Sequence, residues 1–274
     1  MRRLMTALLI ALFIGSIATA LAADKVNVAG STTVLPLAQL EAEAFNGQQT
    51  DCQVSITGGG TGAGITAAGE GRADIAMASR TVTDSERAMY KQKGNFQQFF
   101  IAYDGVCIIV SKQVYDAGVK AISKDQLKNI YAGKIKNWKE LGGPDAAIYA
   151  IAREEGSGTR DTFNSLVMDN SSAETPGVST VANGNAEVKT AVTGSDKAIG
   201  YVGFSYASST DIGVLTYQGI TPNPQNIKSG SYPLARKLYL YTLGEPTPCA
   251  QKFIDFVLSA AGQKIAGDNG FIPL

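Results

Sequence analysis

The sequence predicts a mixed α/β fold of two domains. Short apolar strands alternate with helical segments along most of the chain, which is typical of a parallel sheet covered by helices. The 274 residues are 45% hydrophobic, which is enough for two ordinary domains with cores of their own. Two apolar segments, residues 99–110 and 198–207, read as strands that cross from one domain to the other.

The first 22 residues read as a signal peptide. Two arginines precede an apolar run from Leu4 to about Ile17, and small residues around Ala20 and Ala22 suit a cleavage site. The run is shorter than the roughly 20 apolar residues that a membrane span requires. A retained anchor helix is the alternative. We expect the mature chain to begin after residue 22 and to be soluble.

The mature chain opens with a strand, a polar turn and a helix. Residues 25–30 alternate between polar and apolar side chains and end at Gly30. Ser31, Thr32 and Thr33 follow where a helix N-cap belongs, because hydroxyl oxygens accept hydrogen bonds from the first N–H groups of a helix. We therefore expect a strand that leads through hydroxyl side chains into a capped helix.

The next two units repeat this order. Residues 52–56 form a second strand, which runs into the glycine-rich segment TGGGTGAGIT, residues 57–66, and that segment opens a helix. Residues 74–80 form a third strand that ends in Ser79 and Arg80 before another helix. Ligands of open α/β sheets lie beyond the carboxyl ends of the strands, so we expect these turns to converge on one crevice.

The second domain contains a similar turn. A strand ends in REEGSGTRDTF, residues 153–163, where Ser157, Gly158 and Thr159 precede a helix and Arg153 lies just upstream. A plain helix cap is the alternative for this turn, as a flexible turn is for the glycine-rich segment of the first domain. Neither turn identifies a ligand by itself.

The cysteines and two large aromatic residues read as structural. Cys107 lies in an apolar run, where a thiol behaves as a small buried hydrophobe, so Cys52 and Cys249 are the favoured disulfide pair. Tyr131 and Trp138 are expected in the core of the second domain, with contact to a ligand as the alternative. None of the cysteines has the spacing of a metal site.

Composition excludes several classes of protein. The chain has no histidine, which removes histidine-based acid–base catalysis, the Ser-His-Asp triad and the common zinc helix. The 24 basic residues balance the 24 acidic ones, which argues against a broad nucleic-acid surface. The glycine clusters fit neither the dinucleotide nor the Walker pattern. An enzyme that uses carboxylates alone remains formally open.

The turns of both domains combine groups that suit an oxyanion. Arginine offers a planar fork of donors, hydroxyls donate without adding charge, and helix N-termini add backbone N–H groups. Glycine lets the main chain approach a ligand closely. Two such turns on opposite sides of a hinge would clamp an anion between the domains.

Six segments together resemble the phosphate-binding proteins that feed bacterial ABC phosphate importers: AGSTTVLPL, GGGTGAGI, ADIAMASR, AYDGVCIIV, REEGSGTR and SYPLARKLYLYT. The resemblance covers nearly all of the mature chain. It implies a two-domain periplasmic binding protein, type II-like, with two crossing hinge strands and the ligand in the interdomain cleft. It also implies no catalysis and no cofactor or metal.

The resemblance further implies a periplasmic monomer that binds inorganic phosphate and delivers it to a membrane permease, with no role for nucleic acid. Carried over residue by residue, the family motifs predict a set of phosphate-contacting positions: Ser31, Thr32, Thr33, Gly60, Thr61, Ser79, Arg80, Arg153, Ser157, Gly158 and Thr159. The expected domains are residues 24–103 with 206–274, and residues 104–205.

The turn at Arg80 departs from part of the family. Longer members resemble this chain but carry an aspartate there, which accepts the proton of hydrogen phosphate; shorter members often have Ser-Arg. Asp104 is a candidate substitute acceptor, with a hinge hydrogen bond as its alternative role. Rival functions are a receptor for sulfate, molybdate or tungstate, a secreted phosphohydrolase, and an adhesion or signalling protein that has lost the anion.

Overall fold

The computed structural model describes residues 23–208 and 210–274, so the predicted signal peptide lies outside the described residues. Within those two ranges, no helix combines the length and the apolar character needed to span a membrane.

The described chain alternates strands and helices, as the sequence predicts. Its strands are β1 (Asp24–Gly30), β2 (Cys52–Gly59), β3 (Ile75–Ala78), β4 (Phe96–Ser111), β5 (Ala121–Ile122), β6 (Tyr149–Arg153), β7 (Val178–Ala182), β8 (Ala198–Gly203), β9 (Ile212–Val214), β10 (Thr216–Tyr217) and β11 (Ala235–Leu243). Its α-helices are α1 (Leu35–Gln48), α2 (Thr61–Glu70), α3 (Asp84–Tyr90), α4 (Lys112–Asp116), α5 (Lys124–Tyr131), α6 (Gly158–Leu166), α7 (Asn185–Thr193), α8 (Pro224–Lys228), α9 (Pro248–Leu258) and α10 (Ala260–Asp268).

Most strands belong to one continuous sheet in the order β2-β1-β3-β11-β4-β8-β6-β7, with β9 also paired to β4. β1 is parallel to β2 and β3, and β6 is parallel to β7 and β8, so each end of the sheet is built from strand–helix units. The two ends are joined by antiparallel pairs of β4 with β11 and with β8.

Strand β4 passes from one half of the molecule to the other, as predicted. Its first part, residues 96–105, pairs with β11, and its second part, residues 106–110, pairs with β8. Asp104 and Gly105 lie at the change of partner. The expected second crossing at residues 198–207 is wrong, because β8 pairs with β6 and with the far part of β4. The chain returns instead at the start of β11, where Ala235 faces Gly105.

Two large apolar cores flank this junction. One core holds residues from β1, α1, the first part of β4, β11 and α9. The other extends from Val106 through Leu215, Tyr217 and Tyr232 to Leu234, all of them buried. We therefore propose that lobe 1 comprises residues 24–103 and 235–274 and that lobe 2 comprises residues 104–234, which moves the expected return from 206 to 235.

The structural cysteines and aromatics lie where the sequence predicts. Cys52 and Cys249 form a disulfide that ties β2 to α9, and Cys107 is a buried free thiol. Tyr131 and Trp138 are completely buried in the core of lobe 2.

The predicted N-cap after β1 is wrong. Helix α1 begins at Leu35, and its capping residue Val34 supplies no side-chain hydrogen bond. Ser31 Oγ instead accepts a hydrogen bond from the Thr33 N–H at 3.2 Å, within a tight turn. The hydroxyls of Thr32 and Thr33 are therefore not used as caps, and they project into the junction between the lobes.

Candidate anion-binding site

The predicted turns of the two lobes meet at the carboxyl ends of their strands. Gly60, which precedes α2, has a φ of +94°, a conformation that favours glycine. The N–H of Gly62 in lobe 1 donates to the carbonyl of Gly156 in lobe 2 at 2.9 Å. A Cβ on Gly158 would lie 2.5 Å from Thr61 Oγ1 and 2.6 Å from Ser79 Oγ, so only glycine allows this approach.

Arg153 is the central cation of the junction, with 1% of its surface exposed. Its Nε and Nη2 donate to the two oxygens of Glu154, each at 2.7 Å, and Nη2 also donates to Thr32 Oγ1 at 3.1 Å. Its Nη1 is buried and has no hydrogen-bond partner among the described residues. A buried, unpaired guanidinium N–H is costly, so this group is suited to a negatively charged ligand.

The backbone of Arg153 is held by the hydroxyl of Tyr201. Its N–H donates to the hydroxyl of Tyr201 at 3.1 Å, and burial raises the pKa of Tyr201 to about 12. The phenol therefore stays neutral at physiological pH. It stabilises the end of β6 without adding a negative charge beside the guanidinium.

The threonines of both lobes form one hydrogen-bonded group around this arginine. Thr33 Oγ1 lies 3.1 Å from Thr159 Oγ1 across the junction. Asn185, which is fully buried at the start of α7, donates from Nδ2 to Thr32 Oγ1 and Thr33 Oγ1, both at 3.1 Å. Four side chains from three strand ends are thus brought within hydrogen-bond distance of their neighbours.

The remaining predicted positions lie beside this group. Thr61 Oγ1 lies 3.3 Å from Ser79 Oγ and accepts a hydrogen bond from the Ser79 N–H at 3.1 Å. Ser157 caps α6 by accepting from the Arg160 N–H, as the simpler reading of that turn predicts. The predicted positions other than Arg80 therefore converge at the lobe junction, although their contact with an anion stays a prediction.

Arg80 points elsewhere. Its Nη1 and Nη2 donate to the carboxylate of Glu86 at 2.8 and 2.9 Å, and its Nε donates to Asp161 at 2.6 Å. Burial lowers the pKa of Arg80, but the hydrogen bonds to Glu86 and Asp161 outweigh it and raise that pKa overall. Asp161 belongs to α6 of lobe 2, so Arg80 links the lobes and is not directed at the threonine group.

The carboxylate of Asp104 is also occupied by contacts at the hinge. Its Oδ2 accepts from Arg236 Nε at 2.7 Å and its Oδ1 accepts from the Phe204 N–H at 2.9 Å. Both side chains of the ion pair are nearly inaccessible, with 6% and 2% exposed. This arrangement favours the hinge role over the role of proton acceptor. Nη2 of Arg236 donates hydrogen bonds to Thr33 Oγ1 and Thr159 Oγ1.

Sequence reasoning missed three side chains of this site: Asn185, Arg236 and Glu154. Asn185 follows a glycine after β7, which is the same strand–glycine–helix signal used elsewhere, so it could have been found. Arg236 has no such signal, because β11 reaches the junction only through its pairing with β4. Glu154 stands next to Arg153 in the sequence and could have been read as its partner.

The junction holds a donor-rich, partly charged group of side chains. Buried Arg153 and Arg236 are each paired with one carboxylate, which leaves the free N–H groups of Arg153 as the strongest unsatisfied donors. Within the described ranges, no group of acidic and cysteine side chains could hold a metal ion. The site can thus attract and orient an oxyanion through hydrogen bonds.

Comparison with known proteins shows the family of the chain. Residues 16–261 match the PBP superfamily domain. The chain is 35% identical over 254 residues to the phosphate-binding protein PstS of Bacillus subtilis, covering 92% of this chain and 82% of that protein.

Solved structures give the same result. A candidate phosphate ABC transporter substrate-binding protein from Clostridium perfringens, with bound phosphate, is 36% identical with a TM-score of 0.84, covering 92% of this chain and 100% of that one. An ABC-type phosphate transport receptor from Vibrio cholerae is 31% identical with a TM-score of 0.74, covering 91% of this chain and 100% of that one. By its match to the superfamily domain and its identity to these relatives, the chain belongs to the PBP superfamily and, within it, to the family of PstS phosphate-binding proteins.

Proposed function

We propose that this chain is a phosphate receptor of an ABC importer, which clamps inorganic phosphate between its two lobes and delivers it to a membrane permease. The observation that carries the proposal is the buried, unpaired Nη1 of Arg153 amid hydroxyl groups from both lobes. Relatives named as phosphate-binding proteins cover most of the chain and support phosphate as the ligand.

The proposed phosphate contacts come from both lobes. Lobe 1 supplies Ser31, Thr32, Gly60, Thr61 and Ser79, lobe 2 supplies Arg153, Ser157, Gly158 and Thr159, and Thr33 acts through its hydrogen bond with Thr159. Arg80 is left out of this set, because Glu86 and Asp161 bind its guanidinium. The helix N-termini of α2 and α6 add backbone N–H groups, which favour negative charge.

Selection of phosphate over sulfate requires an acceptor for the ligand's proton, since hydrogen phosphate can donate a hydrogen bond and sulfate cannot at neutral pH. Arg80 has no acceptor atom, and Asp104 is 2% exposed and holds Arg236 and the Phe204 N–H. Glu154 is the carboxylate beside the free guanidinium group; it is 17% exposed, and each of its oxygens accepts one N–H from Arg153 and can accept a second donor. Its Oε1 lies 3.6 Å from where a Cβ on Gly60 would stand. We assign the acceptor role to Glu154.

Export and transport complete the proposal. The N-terminal apolar segment supports export across the inner membrane, after which a monomeric receptor would carry its ligand to the permease. Binding without turnover is expected, because the site is built from donors and lacks an activated nucleophile or a metal cluster in the part of the chain that is described.

Calorimetry on the mature protein tests the proposal. The protein is unfolded, dialysed free of anion and refolded, and then titrated with phosphate, sulfate, molybdate and tungstate. One phosphate site per chain is expected, and sulfate at the same concentration should not displace phosphate. A preference for another oxyanion, or turnover of a phosphate ester with or without divalent metal, would contradict the proposal.

A melting experiment gives a second measurement. A ligand bound only by the folded state adds about 2.7 kcal/mol at a hundredfold excess over Kd. Millimolar phosphate should therefore raise the melting temperature of the anion-free protein. An unchanged melting curve would count against phosphate binding.

A further inference from the structure

The hydroxyl of Thr32 has both of its acceptor positions filled. A hydroxyl oxygen can accept two hydrogen bonds and donate one. Thr32 Oγ1 receives one N–H from Arg153 Nη2 and one from Asn185 Nδ2, each at 3.1 Å. Its own proton must therefore be donated, and none of the side-chain contacts within residues 23–208 and 210–274 provides an acceptor for it.

Thr33 and Thr159 form a short relay of hydrogen bonds, which also ends in a hydroxyl proton without an acceptor among the described side chains. Thr33 Oγ1 receives N–H groups from Asn185 Nδ2 at 3.1 Å and Arg236 Nη2 at 3.2 Å, so its proton is donated to Thr159 Oγ1, 3.1 Å away. Thr159 Oγ1 also receives the second proton of Arg236 Nη2 at 3.1 Å. The hydroxyl proton of Thr159 is then the free one at the end of the relay.

The two residues that supply these N–H groups are themselves fixed. Asn185 Oδ1 accepts from the Gly203 N–H at 3.0 Å, which determines which end of the amide faces the threonines. Arg236 is held by its ion pair with Asp104 and donates from Nη1 to the carbonyl of Gly158 at 3.2 Å. Each therefore presents two N–H groups in a defined direction.

We propose that Asn185 and Arg236 are positioning residues of the anion site, which occupy the acceptor positions of the threonine oxygens and so turn the hydroxyl protons of Thr32 and Thr159 toward the ligand. This inference deepens the proposed function and depends on it. Asn185 lies on lobe 2 whereas Thr32 and Thr33 lie on lobe 1, so the hydroxyls of lobe 1 become obligatory donors only when the lobes meet.

Double-mutant cycles test the inference. Phosphate Kd is measured by calorimetry for the anion-free parent, for Asn185→Leu, for Thr32→Val/Thr33→Val and for the triple variant. Asn185→Leu should weaken binding about tenfold or more in the parent, but less than about twofold when both hydroxyls are already absent. Such a difference is expected only if the amide acts through the hydroxyls.

A second cycle uses the other positioning residue. Arg236→Met is combined with Thr33→Val/Thr159→Val, and the same loss of effect is expected in the valine background. This cycle also serves if Asn185→Leu fails to fold, which is checked from the melting curve of the anion-free protein. Asn164→Leu is the matched control, because it removes another buried amide of lobe 2, one that donates to the Ser171 carbonyl, and should retain the parent affinity.

Equal losses in both backgrounds, or no loss in the parent, would overturn the inference. If the parent binds phosphate and the cycles are additive, only the positioning roles fail and the proposed function stands. If the parent itself does not bind phosphate, the proposed function fails and this inference fails with it.

Discussion

At the scale of single residues, the direction of each arginine side chain decides its role. Arg153 and Arg80 both lie at the carboxyl ends of strands at the lobe junction. Glu154 leaves Nη1 of Arg153 free, whereas Glu86 and Asp161 bind the guanidinium of Arg80. The neighbours Glu154 and Glu86 can be read from the sequence, because they lie one and six residues away. Asp161 cannot, since it reaches Arg80 only across the junction.

Arg153→Ala should weaken phosphate binding by roughly thirtyfold or more, because a buried charge-assisted contact costs about 2–5 kcal/mol to lose. The loss should exceed that of any single hydroxyl change at Thr32, Thr61 or Ser157. Calorimetry measures it, with Arg72→Ala as the control because Arg72 is exposed and pairs only with nearby Glu70. An Arg153→Ala protein that binds within about threefold of the parent would show that the site is misplaced.

Glu41 predicts an unusual pH dependence of stability. This carboxyl is buried on α1, both of its oxygens lack a hydrogen-bond partner among the described residues, and burial raises its pKa to about 9. Between the ordinary pKa of 4.5 and 9, the folded chain retains the proton that the unfolded chain releases. The free energy of unfolding should therefore fall as pH rises through this range, by up to about 1.4 kcal/mol per unit.

Glu41→Leu should remove this dependence and raise the free energy of unfolding at pH 8. Chemical denaturation at pH 5, 6.5 and 8 measures the slope for the parent and the variant. Glu43→Leu is the control, because Glu43 is exposed on the same helix. A parent whose stability does not fall between pH 5 and 8 more than that of Glu41→Leu would contradict this reading of Glu41.

At the scale of elements, the strand–turn–helix units could be predicted and their long-range partners could not. Alternation and glycine turns are local signals, which is why β1 to β3 and the helix after Ser157 appear where they are expected. The order of strands depends on pairing between distant segments. Residues 198–207 therefore look like a crossing strand in the sequence, but β8 remains in lobe 2, and the crossing role belongs to the approach to β11.

The site shows the same division. The threonines and Arg153 could be predicted because their turns carry both glycines and hydrogen-bond donors. The family resemblance then identified which positions in those turns are expected to contact phosphate. Arg236 reaches the site from a strand whose position is known only once β11 pairs with β4. The expected helix cap after β1 failed because the turn satisfies its own backbone, which leaves the hydroxyls for the junction.

Gly158→Ala should prevent the first turn of α6 from approaching lobe 1, because the added Cβ would lie within 2.6 Å of Ser79 Oγ and closer still to Thr61 Oγ1. Overpacking costs about 1–3 kcal/mol, which corresponds to a rise in phosphate Kd of roughly five- to 150-fold. The melting temperature of the anion-free protein should change little, since the clash arises only between the lobes.

Gly47→Ala is the matched control for this variant, because a Cβ on Gly47 would meet no atom within 4 Å. Calorimetry gives the Kd of both variants. Equal phosphate affinity for Gly158→Ala and the parent would mean that the lobes bind the ligand without this close approach.

At the scale of the whole molecule, the two lobes are joined by contacts that surround the site as well as line it. The ion pair of Arg80 with Asp161 and the backbone hydrogen bond from Gly62 to Gly156 both connect lobe 1 to lobe 2. Ligand release requires these contacts to break, even though none of them needs to touch the anion. Phosphate should therefore compact the molecule, and solution scattering with and without phosphate measures the change.

Arg80→Gln should weaken phosphate and sulfate binding alike, by about three- to tenfold, mainly through faster dissociation. Asp161→Asn should have a similar effect, and the double variant should be no weaker than either one, because both changes remove the same interlobe ion pair. Stopped-flow measurement at low and high salt gives the phosphate dissociation rates. High salt should reduce the difference in rate between the parent and the variants, because it screens the interlobe ion pair. Additive losses would indicate that Arg80 contacts the anion independently of Asp161.

The position of β11 has a consequence for how the chain folds. β11 lies between β3 and β4 in the sheet, although it is formed by residues near the end of the chain. Apart from Ile272, the core of lobe 2 comes from one uninterrupted segment, so most of it, with Cys107 buried among its apolar side chains, can form before Cys249 is available. We expect this order to withdraw the Cys107 thiol from reaction, which leaves Cys249 as the available partner of Cys52 when lobe 1 closes.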